Sequence, residues 1–345
     1  MDIKQGLVLK SMSRMFNTLK KWLQLFRAQT APATICLIML PYLMNANLFA
    51  FESLILFTFC ILIHWISFGH NSLLDTAMGY DKRDPSKSHH PLITGAIKLS
   101  TAHNIIHWSL CGLAIGAILI SLWLSPNPLL AIICIFIWFV FGYAYNSGLD
   151  KETILSFLPI SICFTAMGAF GYFLSHNTID LTGWILMIYF FFTILFQISW
   201  SGNLKELEIR ERSNILVKMG AKVDVTWKGE KMFDPGHAYI YGFMIKMINI
   251  VLAAILLQLN YSLAGNIPFF LFGGLALYYL ILLISPRKYV RSKELLNMSI
   301  EEIATIFLPL GILLPWHEAL ILMAAGVLYF FGVNRLIWKV PYPKV

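Results

Sequence analysis

Charge is scarce in this chain of 345 residues: 13% are charged, 58% are hydrophobic, and the mean hydropathy is +0.70. A soluble domain carries about a quarter charged residues, so an ordinary soluble enzyme is excluded. Cysteine is scarce as well. Cys36, Cys60, Cys111, Cys134 and Cys163 all fall inside apolar stretches without CxxC spacing, which excludes a disulfide framework or thiolate metal site. The first 26 residues lack a compact apolar region followed by a small-residue cleavage site, so a removed signal peptide is not expected. Nor does any stretch alternate apolar and polar residues in the manner of a membrane barrel.

Long apolar runs are what the chain has instead. They lie near residues 30–50, 53–69, 102–124, 129–145, 153–174, 183–199, 238–259, 267–285, 303–316 and 318–334. About 20 apolar residues cross a hydrocarbon core of about 30 Å, and in lipid the spans must be helical because backbone groups cannot stay unpaired. The run at 303–316 contains Pro309 and Pro315 and reads as a short, broken or re-entrant helix. The expected fold is therefore all-α, a polytopic transmembrane bundle of nine to ten helices.

The net charge of +8 invites a nucleic-acid reading, but its distribution removes it. Apart from Lys246, every Lys and Arg falls on alternate connections. The opposite ones, around Asn47, Ser125–Pro128, His176–Asp180, Asn260–Asn266 and His317, carry none. By the positive-inside rule the amino terminus and the long loops face the cytoplasm of a multi-pass cell-membrane protein. Three parts follow: an amphipathic segment at 1–28, a transmembrane domain at 29–335 and a cytoplasmic tail at 336–345. In the first, Met12, Met15, Phe16, Leu19, Leu23 and Phe26 recur at helical spacing beside Lys10, Arg14, Lys20 and Lys21. This is the pattern of an interfacial helix on membrane lipids, the alternative being a frayed basic tail.

Two cytoplasmic connections, 71–100 and 200–235, hold nine of the 18 carboxylates. In the first, Asn71 and Asp75 are four residues apart and share a helix face; Gly79, Asp81 and Asp84 follow. Oxygen ligands so placed suit a hard cation, and Mg²⁺ takes one or two carboxylates plus water and substrate phosphate oxygens. The alternative is a solvated turn in which Asp81, Lys82, Arg83 and Asp84 pair with one another. The second connection opens Asn203-Leu-Lys205-Glu206-Leu-Glu208-Ile-Arg210-Glu211-Arg212. Alone it reads as a salt-bridged helix end; beside the first loop it reads as a second metal cradle through Asn203 and Glu206. Lys246, alone of the basic residues, sits deep in an apolar run. It either faces an internal polar cavity and reaches a bound anion or snorkels to the interface. His103 and His107 have zinc-pair spacing but lack a third ligand, and read as polar residues at a helix entry.

Asn71, Asp75 and Asp81, followed by His90-Pro-Leu-Ile-Thr-Gly95, resemble the first motif of the UbiA superfamily of intramembrane prenyltransferases. Arg27 stands before the first span, where that family commonly has an Arg. Tyr145-Asn-Ser-Gly-Leu-Asp-Lys151 is similar to its YSxPLK segment, and Asn203-Leu-Lys-Glu206 to its second aspartate motif. The resemblance runs over roughly 27–285. Departures stand beside it: Ser72 replaces the usual second Asp, Asp81 lies two residues further on, His90 replaces an Arg, Asn and Glu replace Asp in the second motif, and a tenth span joins the usual nine.

The resemblance implies a lipid-accessible apolar cavity capped by the two loops. It implies Mg²⁺-dependent transfer of an isoprenyl chain from an isoprenyl diphosphate to a lipophilic acceptor through an allylic carbocation-like intermediate. Asp75, Lys151 and Tyr145 are then expected in catalysis. Asn71, Asp75, Asp81, Asn203 and Glu206 are expected at the metal. Arg27, Asn71, Asp81, His90, Asn203, Lys205 and Arg210, with Lys246, are expected at the substrate. Tyr143, Tyr145, Trp200, Tyr239 and Tyr241 offer faces for the cation or serve as interfacial aromatics. The runner-up is a terpene cyclase of the same superfamily acting without acceptor. A transporter fits less well, because its polar groups would gather at the bilayer midplane rather than at one mouth.

Overall fold

The computed structural model describes residues 3–83, 87–149, 155–207, 214–260 and 263–338. Each apolar run becomes a helix. Helix α1 spans Ile3–Leu25, α2 Ala31–Leu43, α3 Phe51–Ala77, α4 Leu99–Leu124, α5 Pro128–Ala144 and α6 Phe157–Phe173. Then come α7 at Leu181–Phe196, α8 at Ala238–Leu259, α9 at Leu263–Ile284, α10 at Arg291–Leu313 and α11 at Trp316–Trp338. Among the described residues eight helices are long and apolar enough to span a membrane, or nine if the bent pair at 15–25 and 28–43 counts as one. Helix α6, with 17 residues, is a shorter apolar helix.

Sequence signals account for two of the helix starts. Asn127 accepts from the backbone N–H of Leu130, with Pro128 beginning the helix behind it. Asp180 caps α7 by accepting from Gly183 N–H at 2.7 Å. These side chains satisfy donors that the first turn cannot bond internally.

Two expectations change. The run at 303–316 is no broken helix: α10 is continuous over 23 residues, with Pro309 inside it. Its start, Arg291 to Glu302, is polar enough to hide the first turns from a hydropathy reading, and one proline removes a single N–H donor that packing elsewhere tolerates in membrane helices. The second difference is a small sheet in the 200–235 connection. Strand β1 (Lys222–Val225) pairs antiparallel with β2 (Lys231–Asp234), and β2 with β3 (Arg287–Lys288). Gly229, at φ 75°, makes the hairpin turn, a conformation glycine adopts without steric cost.

Close backbone approach holds the bundle. A Cβ on Gly171 of α6 would stand 2.0 Å from the Ile38 carbonyl oxygen of α2, so only glycine permits this crossing, in the manner of small-residue packing between membrane helices. Helix α6 thus becomes the spine of the bundle, packed on α2, α5 and α7. The segment between α1 and α2 bends by 57°. Arg27 makes that bend in the left-handed region, φ 46° and ψ 44°, where a non-glycine residue costs about 1–2 kcal/mol. His64 stabilises it from α3, with Nε2 3.2 Å from the Arg27 carbonyl oxygen and Nδ1 2.8 Å from Thr34 Oγ1.

Candidate active site

A cavity of about 380 Å³ lies among α3, α4, α5, α6 and α10, closed by the bend before α2 and the turn after α7. Its chemistry changes along the helices. On α5 the lining residues run Trp138, Phe139, Gly142, Tyr143, then Tyr145 and Asn146 beyond the helix end; α3 contributes Ser67, Phe68, His70 and Asn71 from its last turns. At 1.5 Å rise per residue, Trp138 sits about 12 Å deeper than Asn146. Deep positions are apolar: Ile160, Phe164 and Met167 of α6, which packs directly on α5, join Trp138 and Phe139 in the lining. The mouth is polar and holds Arg27, Asn71, Asn146, Asn203, Lys205, Glu206 and, from α10, Glu302.

The two sequence motifs therefore meet. Asn71 belongs to the first and Asn203, Lys205 and Glu206 to the second, and all four line one mouth with Arg27 and Tyr145. Their local backbone explains why. After α7 the chain runs as a π-helical turn, 197–202, into Asn203–Lys205, and after α5 a second π-helical turn covers 145–149. A π turn inserts an extra residue and turns the following side chains to a new direction. Asn203 Nδ2 is held by the carbonyls of Ile198 and Ser199 at 3.0 and 3.1 Å, and Asn71 Nδ2 donates to Asn146 Oδ1 at 3.1 Å. Both amides thus spend their nitrogens on protein.

Other expected ligands lie elsewhere. Asp75, one turn beyond Asn71, is 5% exposed and stands outside the cavity lining. Asp81 is buried, ion-paired with Lys87 and within 3.3 Å of Thr76 Oγ1, so its carboxylate serves the loop. Burial alone would push that carboxyl up, but the Lys87 ammonium, with Arg27 and His90 beyond it, holds it below its ordinary value. His90 is also buried away from the lining. Neither ring nitrogen has a hydrogen-bond partner among the described residues, and burial pushes the imidazole down to about 4. Lys151 and Arg210, with Asp84, Glu208 and Arg212, lie outside the described residues.

Lys246 does not reach the cavity. It is fully buried, ion-paired with Glu301, 3.0 Å from Thr305 Oγ1 and 4.2 Å from the Phe196 ring centroid. The expected anion contact gives way to an internal pair between α8 and α10, because a charge in this interior needs a fixed partner more than a passing one. Of the aromatics, Tyr143 and Tyr145 line the chamber. Trp200 is buried in the packing beneath the second loop, Tyr239 is exposed, and the Tyr241 hydroxyl donates to Ser199 Oγ at 2.9 Å.

The structure adds residues that the motifs did not single out: His70, Asn146, Gln197 and Glu302. Gln197 Nε2 donates to Glu301 Oε2 at 3.0 Å and so ties the cavity wall to the buried Lys246 pair. Glu302 follows Glu301 directly, within the field of Lys205.

No group of three or more His, Cys, Asp or Glu side chains among the described residues is placed to hold a metal ion, and of the five expected ligands Asn71, Asn203 and Glu206 line the mouth. What the mouth offers is sparser: the carboxylates of Glu206 and Glu302 and the amide oxygens of Asn71 and Asn203. That donor set fits a hard cation completed by phosphate oxygens and water, the usual state of Mg²⁺, rather than a cation caged by protein.

Comparison with known proteins agrees with this geometry. The UbiA prenyltransferase family profile matches residues 30–300. A UbiA homologue from Archaeoglobus fulgidus, solved bound to DMAPP and Mg²⁺, is similar in fold with a TM-score of 0.60 and 13% identity, over 91% of this chain and 98% of that one. A digeranylgeranylglyceryl phosphate synthase structure gives a TM-score of 0.57 at 20% identity, over 85% of this chain and 99% of the other. The apo UbiA homologue from Aeropyrum pernix K1 gives 0.59 at 10% identity, over 86% and 96%. No curated protein matches. With the profile spanning most of the chain and the two loop motifs lining one chamber, the chain belongs to the UbiA prenyltransferase family.

Proposed function

We propose that this protein is an integral-membrane transferase that moves an isoprenyl chain from an isoprenyl diphosphate to a lipophilic acceptor, with Mg²⁺ as cofactor. The observation that carries it is the two-part chamber: aromatic and aliphatic side chains in its depth, and amides, carboxylates and the cations of Arg27 and Lys205 at its mouth. An isoprenyl diphosphate has those same two halves. The apolar tail gains by leaving water, while the diphosphate stays at the surface of the bilayer. The positive-inside distribution supports a cytoplasmic mouth.

When bound, Mg²⁺ neutralises the diphosphate and makes it a better leaving group. The protein does the rest. Asn71, Asn203, Glu206 and Glu302 hold the cation from the protein side, and Arg27 and Lys205 counter the remaining phosphate charge. The bond between the isoprenyl C1 and the diphosphate oxygen breaks with both electrons staying on oxygen. A bond from the acceptor to C1 forms, and the acceptor loses a proton. Tyr143, Tyr145, Trp138, Phe139 and Phe164 exclude water from the allylic centre and offer ring faces to its positive charge.

The test is product analysis. Purified protein is incubated with Mg²⁺ and a panel of isoprenyl diphosphates, with and without lipophilic phenols, quinone precursors and glycerol phosphates, and products are read by mass spectrometry. Acceptor-dependent, chelator-sensitive coupling is expected. Cyclic hydrocarbons formed without acceptor would make the protein a terpene cyclase instead, and no diphosphate release under any condition would end both readings.

A further inference from the structure

We propose that Asn146 is a positioning residue that aims the Asn71 amide oxygen and the His70 ring N–H into the diphosphate end of the cavity; this rests on the prenyl-transfer reading above. The three side chains form one directed chain. Asn71 Nδ2 donates to Asn146 Oδ1 at 3.1 Å, and Asn146 Nδ2 faces His70 Nδ1 at 3.1 Å. All three line the cavity.

A primary amide has one accepting end and one donating end. Once the Asn146 oxygen is taken by Asn71, its nitrogen is the end that meets His70. Nδ1 of His70 is then the accepting nitrogen, and the ring proton sits on Nε2. One side chain fixes two outcomes: Asn71 turns its oxygen away from Asn146, and His70 carries a donor on its free edge. Packing holds that ring, which stacks near Tyr143 with centroids 6.2 Å apart and meets the edge of His107 at 5.8 Å.

The two presented groups are chemically opposite and adjacent on α3. A carbonyl oxygen suits Mg²⁺, whereas an N–H suits a phosphate oxygen. Neighbouring positions therefore offer one atom to the cation and one to the anion of a metal diphosphate. The π-helical turn at 145–149 is what brings Asn146 of the α5 end to α3. Outer-shell partners of this sort change metal affinity by about 10–100-fold when removed.

The test is calorimetric binding of a non-hydrolysable isoprenyl thiodiphosphate over a series of Mg²⁺ concentrations, with the full-length protein, Asn146→Ala, Asn71→Ala and the double variant. Asn146→Ala is expected to raise the Mg²⁺ concentration for half-maximal binding about tenfold. The double variant is expected to lose less than the two single losses combined, because Asn146 acts in part through Asn71. Should Asn146→Ala fail to purify as a folded protein, Asn146→Ser, whose hydroxyl is too short to span the gap, carries the same expectation. An unchanged Mg²⁺ dependence, or additive effects in the double variant, overturns the inference alone. A wild-type protein that does not bind the analogue overturns it together with the prenyl-transfer reading.

Discussion

Burial of charge is the most telling feature at the scale of single residues. Lys246 and Glu301 are both fully buried, and removing one partner strands the other in a medium that cannot solvate it. Glu301→Ala is expected to destabilise the protein by about 3–5 kcal/mol, while Lys246→Met with Glu301→Met is expected to recover most of that loss; thermal unfolding in detergent measures both. The hydropathy pattern shows Lys246 as an anomaly but not its partner. Glu301 comes 55 residues later, and only the packing of α8 on α10 brings the two together. His90 is similar: its motif position is legible, its burial is not. Because burial lowers its pKa from 6.5 to about 4, the folded protein refuses a proton that the unfolded chain accepts. The contribution of His90 to stability should therefore be full above about pH 6.5 and fall by at most about 3 kcal/mol as pH drops towards 4. Asp81, whose pKa is lowered, adds a loss only at still lower pH, as its carboxylate takes up a proton. A His90→Gln variant should show a smaller loss between pH 6.5 and 4 in the same melting series.

Helices and turns show where local patterning is enough and where it fails. Ten apolar runs became ten helices because length and hydropathy decide a membrane span. The exception in detail was α10, whose first turns, Arg291–Glu302, are polar on their way to the packed half. The hairpin of β1 and β2 was legible in principle, as alternating Lys222-Val-Asp-Val and Lys231-Met-Phe-Asp around Gly229. The π-helical turns after α5 and α7 leave no periodic signal, and they decide which of the motif residues face the cavity. The contact of α2 with α6 gives the element-scale prediction. Gly171→Ala drives a methyl group into the Ile38 carbonyl and should cost about 1–3 kcal/mol through forced separation of the two helices, read as a lowered melting temperature with secondary structure retained.

For the whole molecule, the bundle turns two motifs far apart in sequence into one mouth over an apolar chamber. Their resemblance to UbiA motifs announced the family, yet the ligand geometry follows from packing. Asn71, Asn203 and Glu206 reach the cavity, while Asp75 and Asp81 are buried outside it. Glu206→Gln, which keeps the shape but removes one of the few mouth carboxylates, should raise the Mg²⁺ concentration needed for half-maximal donor binding by about tenfold without lowering the melting temperature.

The central claim is that one chamber holds both halves of an isoprenyl diphosphate. It is tested most directly by determining the structure of the protein with Mg²⁺ and an isoprenyl thiodiphosphate. The diphosphate should lie between Asn71 and Asn203, with its chain running down past Trp138 and Met167. A diphosphate bound anywhere else, or a chain lying outside the helices against lipid, would contradict it.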